Sequence, residues 1–202
     1  MYTTDIEKIR EQLSTILSVI EEPYITALLS LHRKLARQNF PWALTGALGE
    51  ALKTVQVKPD CLEIVTTQRG AAQIFLAVQD CNPTGVYFQT HKLDRNAVVE
   101  GKEYPVYVRS YYFDFTINGV KAKVYGDLQF RISNWSWGDK LEFEPEHVFV
   151  AGTKTAIVPL ALKHDLYQHL GWTDRAEKIR QVLVKAPVAR GKVMVNACAE
   201  PA

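Results

Sequence analysis

Residues 42–66 read WALTGALGEALKTVQVKPDCLEIVT, and this stretch carries most of the information about the fold. It opens with a short apolar run at 42–45, which predicts a β-strand that ends at Gly46. Residues 47–53 are predicted to form a short helix. Apolar and β-branched residues at 62–66 then predict a second strand. A further short helix is predicted after it, and this alternation of strands and helices is typical of α/β and α+β folds.

A β-hairpin is predicted farther along the chain, at Asn118-Gly119. This pair is the strongest short hairpin signal, because both residues tolerate the positive φ angles of a type I′ turn. Residues 106–117 before it are rich in Tyr, Val and Phe, and residues 120–125 after it form the partner strand. Finding a helix here would refute the fold assignment.

Helices are predicted on both sides of the strands. Residues 4–38 repeat apolar side chains at three- and four-residue steps, and Pro23 suits the first turn of the second of two helices. A second pair is predicted at residues 157–170, ended by Gly171, and at residues 173–184. The predicted organisation has three regions, which are a helical region at 1–39, an α+β domain at 40–186 and a mobile tail at 187–202.

Composition limits the class of protein. The chain has 202 residues, of which 47% are hydrophobic and 23% charged, and this excludes a disordered chain. Its 24 basic and 22 acidic residues leave a net charge of +2, which indicates neither nucleic acid nor a membrane surface as a partner. Three cysteines without metal-ligand spacing, and no apolar stretch of membrane-spanning length, favour a cytoplasmic protein.

Gly46 marks the first candidate site. A strand that ends in glycine and opens a helix directs backbone N–H groups towards a position that suits phosphate oxygens. Arg69, near the start of the next helix, is a further candidate for contact with phosphate, although an exposed arginine is the simpler interpretation. Asp60 and Glu63 are three positions apart, so a regular strand would direct them to opposite faces. Either a bulge brings these carboxylates together or the site holds no metal.

In their order and spacing, these segments resemble the minimal nucleotidyltransferase fold. Its members have an apolar strand, a Gly-Ser or Gly-Gly turn, a short helix, a strand with two alternating acids, and a third acid on a later strand. NGVKAKVYGD at residues 118–127 resembles the third-acid strand, and residues 160–183 resemble the helical pair of small members. The resemblance spans residues 40–185. It implies an α+β protein with a mixed sheet, an N-terminal helical pair and C-terminal helices.

The chain departs from the family at the metal site. Gly46 matches the turn glycine, but Ala47 stands where the family usually has serine or glycine, so a hydroxyl donor is lost. Cys61 falls at the first metal carboxylate, Glu63 at the second and Lys123 at the third. A cation at this last position repels the metal that a carboxylate would hold. The ammonium is expected to neutralise Glu63 or to bind a ligand phosphate; an ordinary strand lysine is the alternative.

The resemblance therefore implies a protein that binds a nucleotide, or a macromolecular partner, with catalysis impaired. The expected catalytic positions are Glu63 and Asp60, and the expected nucleotide-binding residues are Gly46, Ala47, Lys123 and Arg69. No metal ligand and no cofactor are expected, and no membrane.

Two alternatives remain open at this stage. The first is an active transferase that moves a nucleoside monophosphate from a nucleoside triphosphate, using Mg²⁺ at a shifted site of Asp60, Glu63 and either Asp114 or Asp127. The second is a non-enzymatic interaction module that binds another protein or a second copy of itself.

Overall fold

The computed structural model describes residues 20–185. The helix predicted before residue 20 and the tail predicted after residue 186 lie outside this range. In chain order the elements are α1 (Glu22–Leu35), β1 (Trp42–Thr45), α2 (Gly46–Ala51), β2 (Leu62–Thr66), α3 (Gln68–Ala77), a 3₁₀ turn (Gln79–Cys81), β3 (Tyr87–Lys92), β4 (Ala97–Val99), β5 (Lys102–Tyr104), β6 (Val106–Ile117), β7 (Val120–Ile132), β8 (Glu146–Val150), β9 (Thr153–Ile157), α4 (Leu160–His169) and α5 (Thr173–Lys185).

Seven strands form a mixed sheet in the order β3-β6-β7-β2-β1-β9-β8. The pairings of β2 with β7 and of β1 with β9 are parallel, and the other neighbours are antiparallel. β4 and β5 pair with each other as a separate two-stranded sheet. The predicted α+β fold with a mixed sheet is confirmed. No described helix is both long enough and apolar enough to cross a bilayer.

The predicted hairpin joins β6 to β7. Asn118 and Gly119 have φ angles of 49° and 77°, and Ile117 pairs directly with Val120 across the turn. Two consecutive residues with positive φ are the signature of a type I′ turn, whose twist matches that of the strands. The hairpin prediction is confirmed.

β7 continues past residue 125, where the predicted strand ends, and it contains a bulge near Asp127. The antiparallel register passes from the pair Tyr111 and Gly126 to the pair Arg109 and Gln129, and Asp127 has a φ of 53°. Its carboxylate accepts the backbone N–H of Gln68 at 3.1 Å and forms an ion pair with Lys140 at 2.7 Å. The extra residue lets Leu128 continue on the face of the sheet that already carries Tyr125.

The two faces of the sheet have different covers. On one face, α1 and α3 pack against the sheet, and the fully buried Phe113 meets Phe75 edge to face at 5.5 Å. On the other face, buried side chains including Val65 and Leu128 pack against Leu162 of α4. Glu63 and Val65 are two positions apart on β2, so their side chains lie on the same face of the sheet. Glu63 therefore lies on the face towards α4.

The prediction of a helix beginning at residue 157 is wrong. Residues 153–157 form β9, in which Thr155 and Ile157 are buried, and α4 begins at Leu160 after Pro159. Alternating burial is the pattern of a strand, and the proline supplies a natural helix start.

The same substitution at a buried and at an exposed position tests this packing. Phe113→Ala should lower the free energy of unfolding by about 3–5 kcal/mol, because it removes buried area and leaves a cavity. Phe149→Ala, at a side chain that is 63% exposed, should change it by less than about 0.5 kcal/mol. Urea denaturation followed by circular dichroism measures both, and equal effects would contradict the described core.

Candidate ligand-binding site

Glu63 of β2 lies against the turn at Gly46. A Cβ atom on Gly46 would come within 1.7 Å of Glu63 Oε2, and Gly46 has a φ of 60°. Both facts require glycine, since any larger residue would collide with the carboxylate and strain the backbone. The hydroxyl of Tyr125 donates to Glu63 Oε1 at 3.3 Å. The carboxylate is therefore held between the turn and β7.

The strand register brings the metal-site positions of the resemblance together. Cys61 directly precedes β2 and lies two positions before Glu63. Lys123 is the register partner of Glu63 in the parallel pairing of β2 with β7. On its other side, the register partner of Lys123 is Asp114 of β6. Asp60 is exposed and lies before β2, where it accepts a hydrogen bond from the Cys61 thiol at 3.3 Å.

The charges of this group differ from those of a cluster of carboxylates. Burial and the neighbouring Glu63 raise the pKa of Cys61 to about 12, so its thiol is neutral at physiological pH. Burial works against the charge of Lys123, but a hydrogen bond to Cys61 and the carboxylates of Glu63 and Asp60 outweigh burial and raise the pKa of its ammonium.

Mg²⁺ prefers several oxygen ligands at fixed distances. Here a thiol and an ammonium occupy two of the three positions, so the residues do not fit this ion. Among residues 20–185, no group of three or more His, Cys, Asp or Glu residues is arranged to hold a metal.

A second charged cluster adjoins Gly46 and was missed by the sequence analysis. Glu50 of α2 is fully buried and binds Lys163 of α4, while Arg175 Nε of α5 donates to its Oε2 at 3.0 Å. The Tyr167 hydroxyl donates to Glu50 Oε1 at 2.7 Å, and Lys163 Nζ donates to the Gly46 carbonyl at 2.8 Å. The cluster thus fastens both C-terminal helices to the Gly46 turn.

A sequence signal for this cluster existed. Leu160, Lys163, Tyr167 and Leu170 follow one another at steps of three and four residues, so the lysine interrupts an apolar helical face. A charged residue there must find a buried partner. Neither the lysine nor the sequence around it indicates which acid that partner is, since Glu50 is more than a hundred residues away.

A cavity of about 200 Å³ opens between the sheet and α4. Its polar wall includes Gly46, Glu63, Tyr125, Lys163 and Arg175. The rest of the wall is mostly apolar and comes from strands, from the segment before β8 and from the C-terminal helices. An apolar cavity with a few converging polar groups is the usual form of a small-molecule site.

The other predicted site residues lie at different distances from this cavity. Ala47 is the second residue of α2 and directly follows Gly46. Arg69 follows the opposite end of β2, because Thr66 pairs with Trp42 while Glu63 pairs with Thr45. At about 3.3 Å per residue, the strand alone separates Glu63 from Thr66 by about 10 Å. Arg69 therefore lies away from the Gly46 turn.

The two candidate acids of the shifted metal site do not converge on Glu63. Asp114 is paired with Lys121 at 2.9 Å. Asp127 is committed to Lys140 and to the first turn of α3. Both carboxylates are therefore compensated by other groups.

Comparison with known structures identifies the fold. A candidate nucleotidyltransferase from Thermotoga maritima superposes with a TM-score of 0.57 at 23% identity, over 83% of this chain and 96% of its own. The chain has the nucleotidyltransferase fold.

Two structures of the antibiotic-resistance factor ANT(2″)-Ia, one in complex with adenylyl-2″-tobramycin, align less well. Both give TM-scores of 0.45, at 8% and 12% identity, over 80% and 82% of this chain and 88% and 85% of their own. No protein-family model matches the sequence, and a search of curated proteins finds no match.

Alanine substitutions at two glycines with positive φ distinguish the cost of a steric collision from the cost of backbone strain. Gly119→Ala should lower the free energy of unfolding by about 1–2 kcal/mol through backbone strain alone, because nothing lies within 4 Å of the added Cβ. Gly46→Ala should cost more, since it adds the collision with Glu63. Combining it with Glu63→Ala should recover part of that excess in a double-mutant cycle measured by urea denaturation. Additive costs would contradict the contact.

The buried cluster should make stability depend on Glu50 and on pH. Burial alone would raise the pKa of Glu50, but Lys163 and Arg175 outweigh it and lower the pKa below its ordinary value of 4.5. Its contribution is therefore complete above about pH 4.5 and is lost as the pH falls through the lower folded-state pKa.

Glu50→Gln should cost about 3–5 kcal/mol at pH 7, because the buried Lys163 and the half-buried Arg175 lose their partner, and should flatten the acid limb of the stability curve. Glu177→Gln, at an exposed partner of Arg180, should change stability by less than about 0.5 kcal/mol. Unfolding free energies measured between pH 3 and pH 7 check both, and an unchanged acid limb in Glu50→Gln would contradict this assignment.

Proposed function

We propose that this nucleotidyltransferase-fold protein binds a nucleotide in the cavity beside Gly46 and does not catalyse metal-dependent nucleotidyl transfer. The observation that carries the proposal is the strand register: Lys123 of β7 lies directly beside Glu63 of β2 in the parallel pairing of the two strands. Nucleotidyl transfer of the family type depends on Mg²⁺ to neutralise phosphates and activate the attacking hydroxyl. With an ammonium in that place and a neutral Cys61 beside it, this stabilisation of the transition state is lost.

The binding half of the proposal rests on the cavity. Gly46 forms a turn in which any larger residue would collide with Glu63. Lys163 and Arg175 place positive charge in the cavity wall next to this turn. The same wall offers apolar surface for a base and sugar. The roles proposed for Glu63 and Lys123 are accordingly to shape and neutralise the site. Asp60 contributes to the charge balance around Lys123.

Direct assays test the two halves separately. Purified protein should bind a nucleotide by calorimetry in the presence of EDTA, and adding Mg²⁺ should not strengthen binding. Labelled nucleoside triphosphates should give no transfer of nucleoside monophosphate to protein, nucleic acid or small hydroxyl acceptors. Metal-dependent transfer that disappears in Glu63→Ala would establish an active enzyme instead. Binding of no nucleotide at all would leave the interaction-module alternative.

Restoring the family's acids should restore a response to metal. In Cys61→Asp combined with Lys123→Glu, three carboxylates repel one another until a divalent ion binds. At a Mg²⁺ concentration of about 100 times Kd, binding should stabilise the folded state by about 2.7 kcal/mol and raise Tm by about 5–10 °C. Cys61→Asp alone should pair with Lys123 and show no such rise.

The matched control is Cys61→Asn combined with Lys123→Gln, which has nearly the same shape without the added carboxylates. Its Tm should not depend on metal. Thermal melts with EDTA, Mg²⁺ or Mn²⁺ compare the variants, and a metal-independent Tm in the Asp/Glu variant would contradict the site assignment itself.

A further inference from the structure

The charges around the cavity already balance without a metal ion. Glu63 interacts electrostatically with Lys123 on one side and with Lys163 and Arg175 on the other. Three acids and three bases make up this group: Glu63, Lys163 and Arg175 line the cavity, and Glu50, Lys123 and Asp60 adjoin them. A balanced group leaves little free positive potential for a polyanion.

This balance bears on how many phosphates the site accepts. Enzymes that handle nucleoside triphosphates rely on divalent cations to bridge and neutralise the phosphate oxygens. The positions that would hold such an ion contain Cys61 and Lys123. A triphosphate would also bring several negative charges next to Glu63, whose position against Gly46 is fixed by close contact. A ligand with little charge avoids both costs.

The cavity's shape favours the same kind of ligand. Its volume of about 200 Å³ is small. Its polar wall has two hydrogen-bonded groups: Lys163 and Arg175 both bond Glu50, and Tyr125 bonds Glu63. Away from these groups the wall is formed by side chains such as Val108, Phe130 and Leu166. One polar end and one apolar end suit a planar base on a sugar.

Arg175 is the group best placed to recognise the polar end of a ligand. Its Nε bonds Glu50, and its guanidinium lies over the Tyr167 ring at 5.5 Å, which fixes its plane. The terminal nitrogens carry four further N–H donors. Because the residue lines the cavity and its side chain is 31% exposed, those donors can reach a ligand there.

We infer that the cavity selects a nucleoside monophosphate over a nucleoside triphosphate, with Arg175 as the specificity-determining residue that binds the single phosphate. This inference rests on the proposed function, because it concerns the same cavity. It adds the charge of the ligand and the residue that recognises that charge.

Calorimetric titration with the four ribonucleosides and their mono- and triphosphates, each with EDTA and with Mg²⁺, tests the inference. For the preferred base, the monophosphate should bind about tenfold or more tightly than the triphosphate under both conditions. A triphosphate that binds most tightly, with or without Mg²⁺, would overturn the inference and leave nucleotide binding intact. If none of the twelve ligands binds, the proposed function itself fails, and the inference fails with it.

The role of Arg175 is tested by the difference between two affinities. Arg175→Gln should abolish most of the preference for the monophosphate over the nucleoside, since a neutral amide replaces a charge-assisted contact. A purely structural role would weaken both ligands equally and leave their ratio unchanged, which would overturn the assignment. Arg180→Gln, on the same helix but paired with Glu177 at the surface, should preserve the ratio. Melting curves confirm that both variants fold.

Discussion

The parallel pairing of β2 with β7 is the constraint from which the site follows. It places Lys123 beside Glu63, and the antiparallel pairing of β2 with β1 places Glu63 beside Thr45, one residue before the Gly46 turn. A shift of either strand by one residue would reverse the side chains on the two faces. The apolar register pairs on the opposite face, Leu62 with Ala122 and Ile64 with Val124, are buried in the core between the sheet and the helices α1 and α3. The core therefore fixes the geometry of the polar face.

Much of this arrangement was predictable because it depends on local signals. Strand β1, strand β2 and the Asn118-Gly119 hairpin were correctly predicted from composition and turn chemistry. β1 ends directly before Gly46, and β2 and the hairpin contain Glu63 and Lys123. That Cys61 and Lys123 take two acid positions follows from the resemblance and stays a prediction. The structure adds that β2, which directly follows Cys61, and β7, which contains Lys123, are neighbours in the sheet.

What escaped prediction depends on contacts between distant segments. The bulge at Asp127 depends on partners from α3 and from the segment before β8, and no local pattern indicates them. Strand β9 was not predicted, and only its last residue, Ile157, fell within the predicted helix, because five residues are too few for a clear period. The Glu50 cluster is the clearest case, since Glu50 and Arg175 are separated by 125 positions. Only the buried lysine on an apolar helical face gave a warning.

The hydrogen bond from Lys163 to the Gly46 carbonyl has a mechanical consequence. If α4 lifted away from the sheet, the carbonyl would lose its donor and Glu50 would lose a buried counter-charge at the same moment. Partial opening of the C-terminal helices is thus energetically coupled to loss of the turn, so the two open together as one cooperative unit. The Gly46 turn and α4, which lie on two sides of the cavity, share a single local unfolding equilibrium. Amide hydrogens in α2 and α4 should therefore have closely similar protection factors in hydrogen exchange.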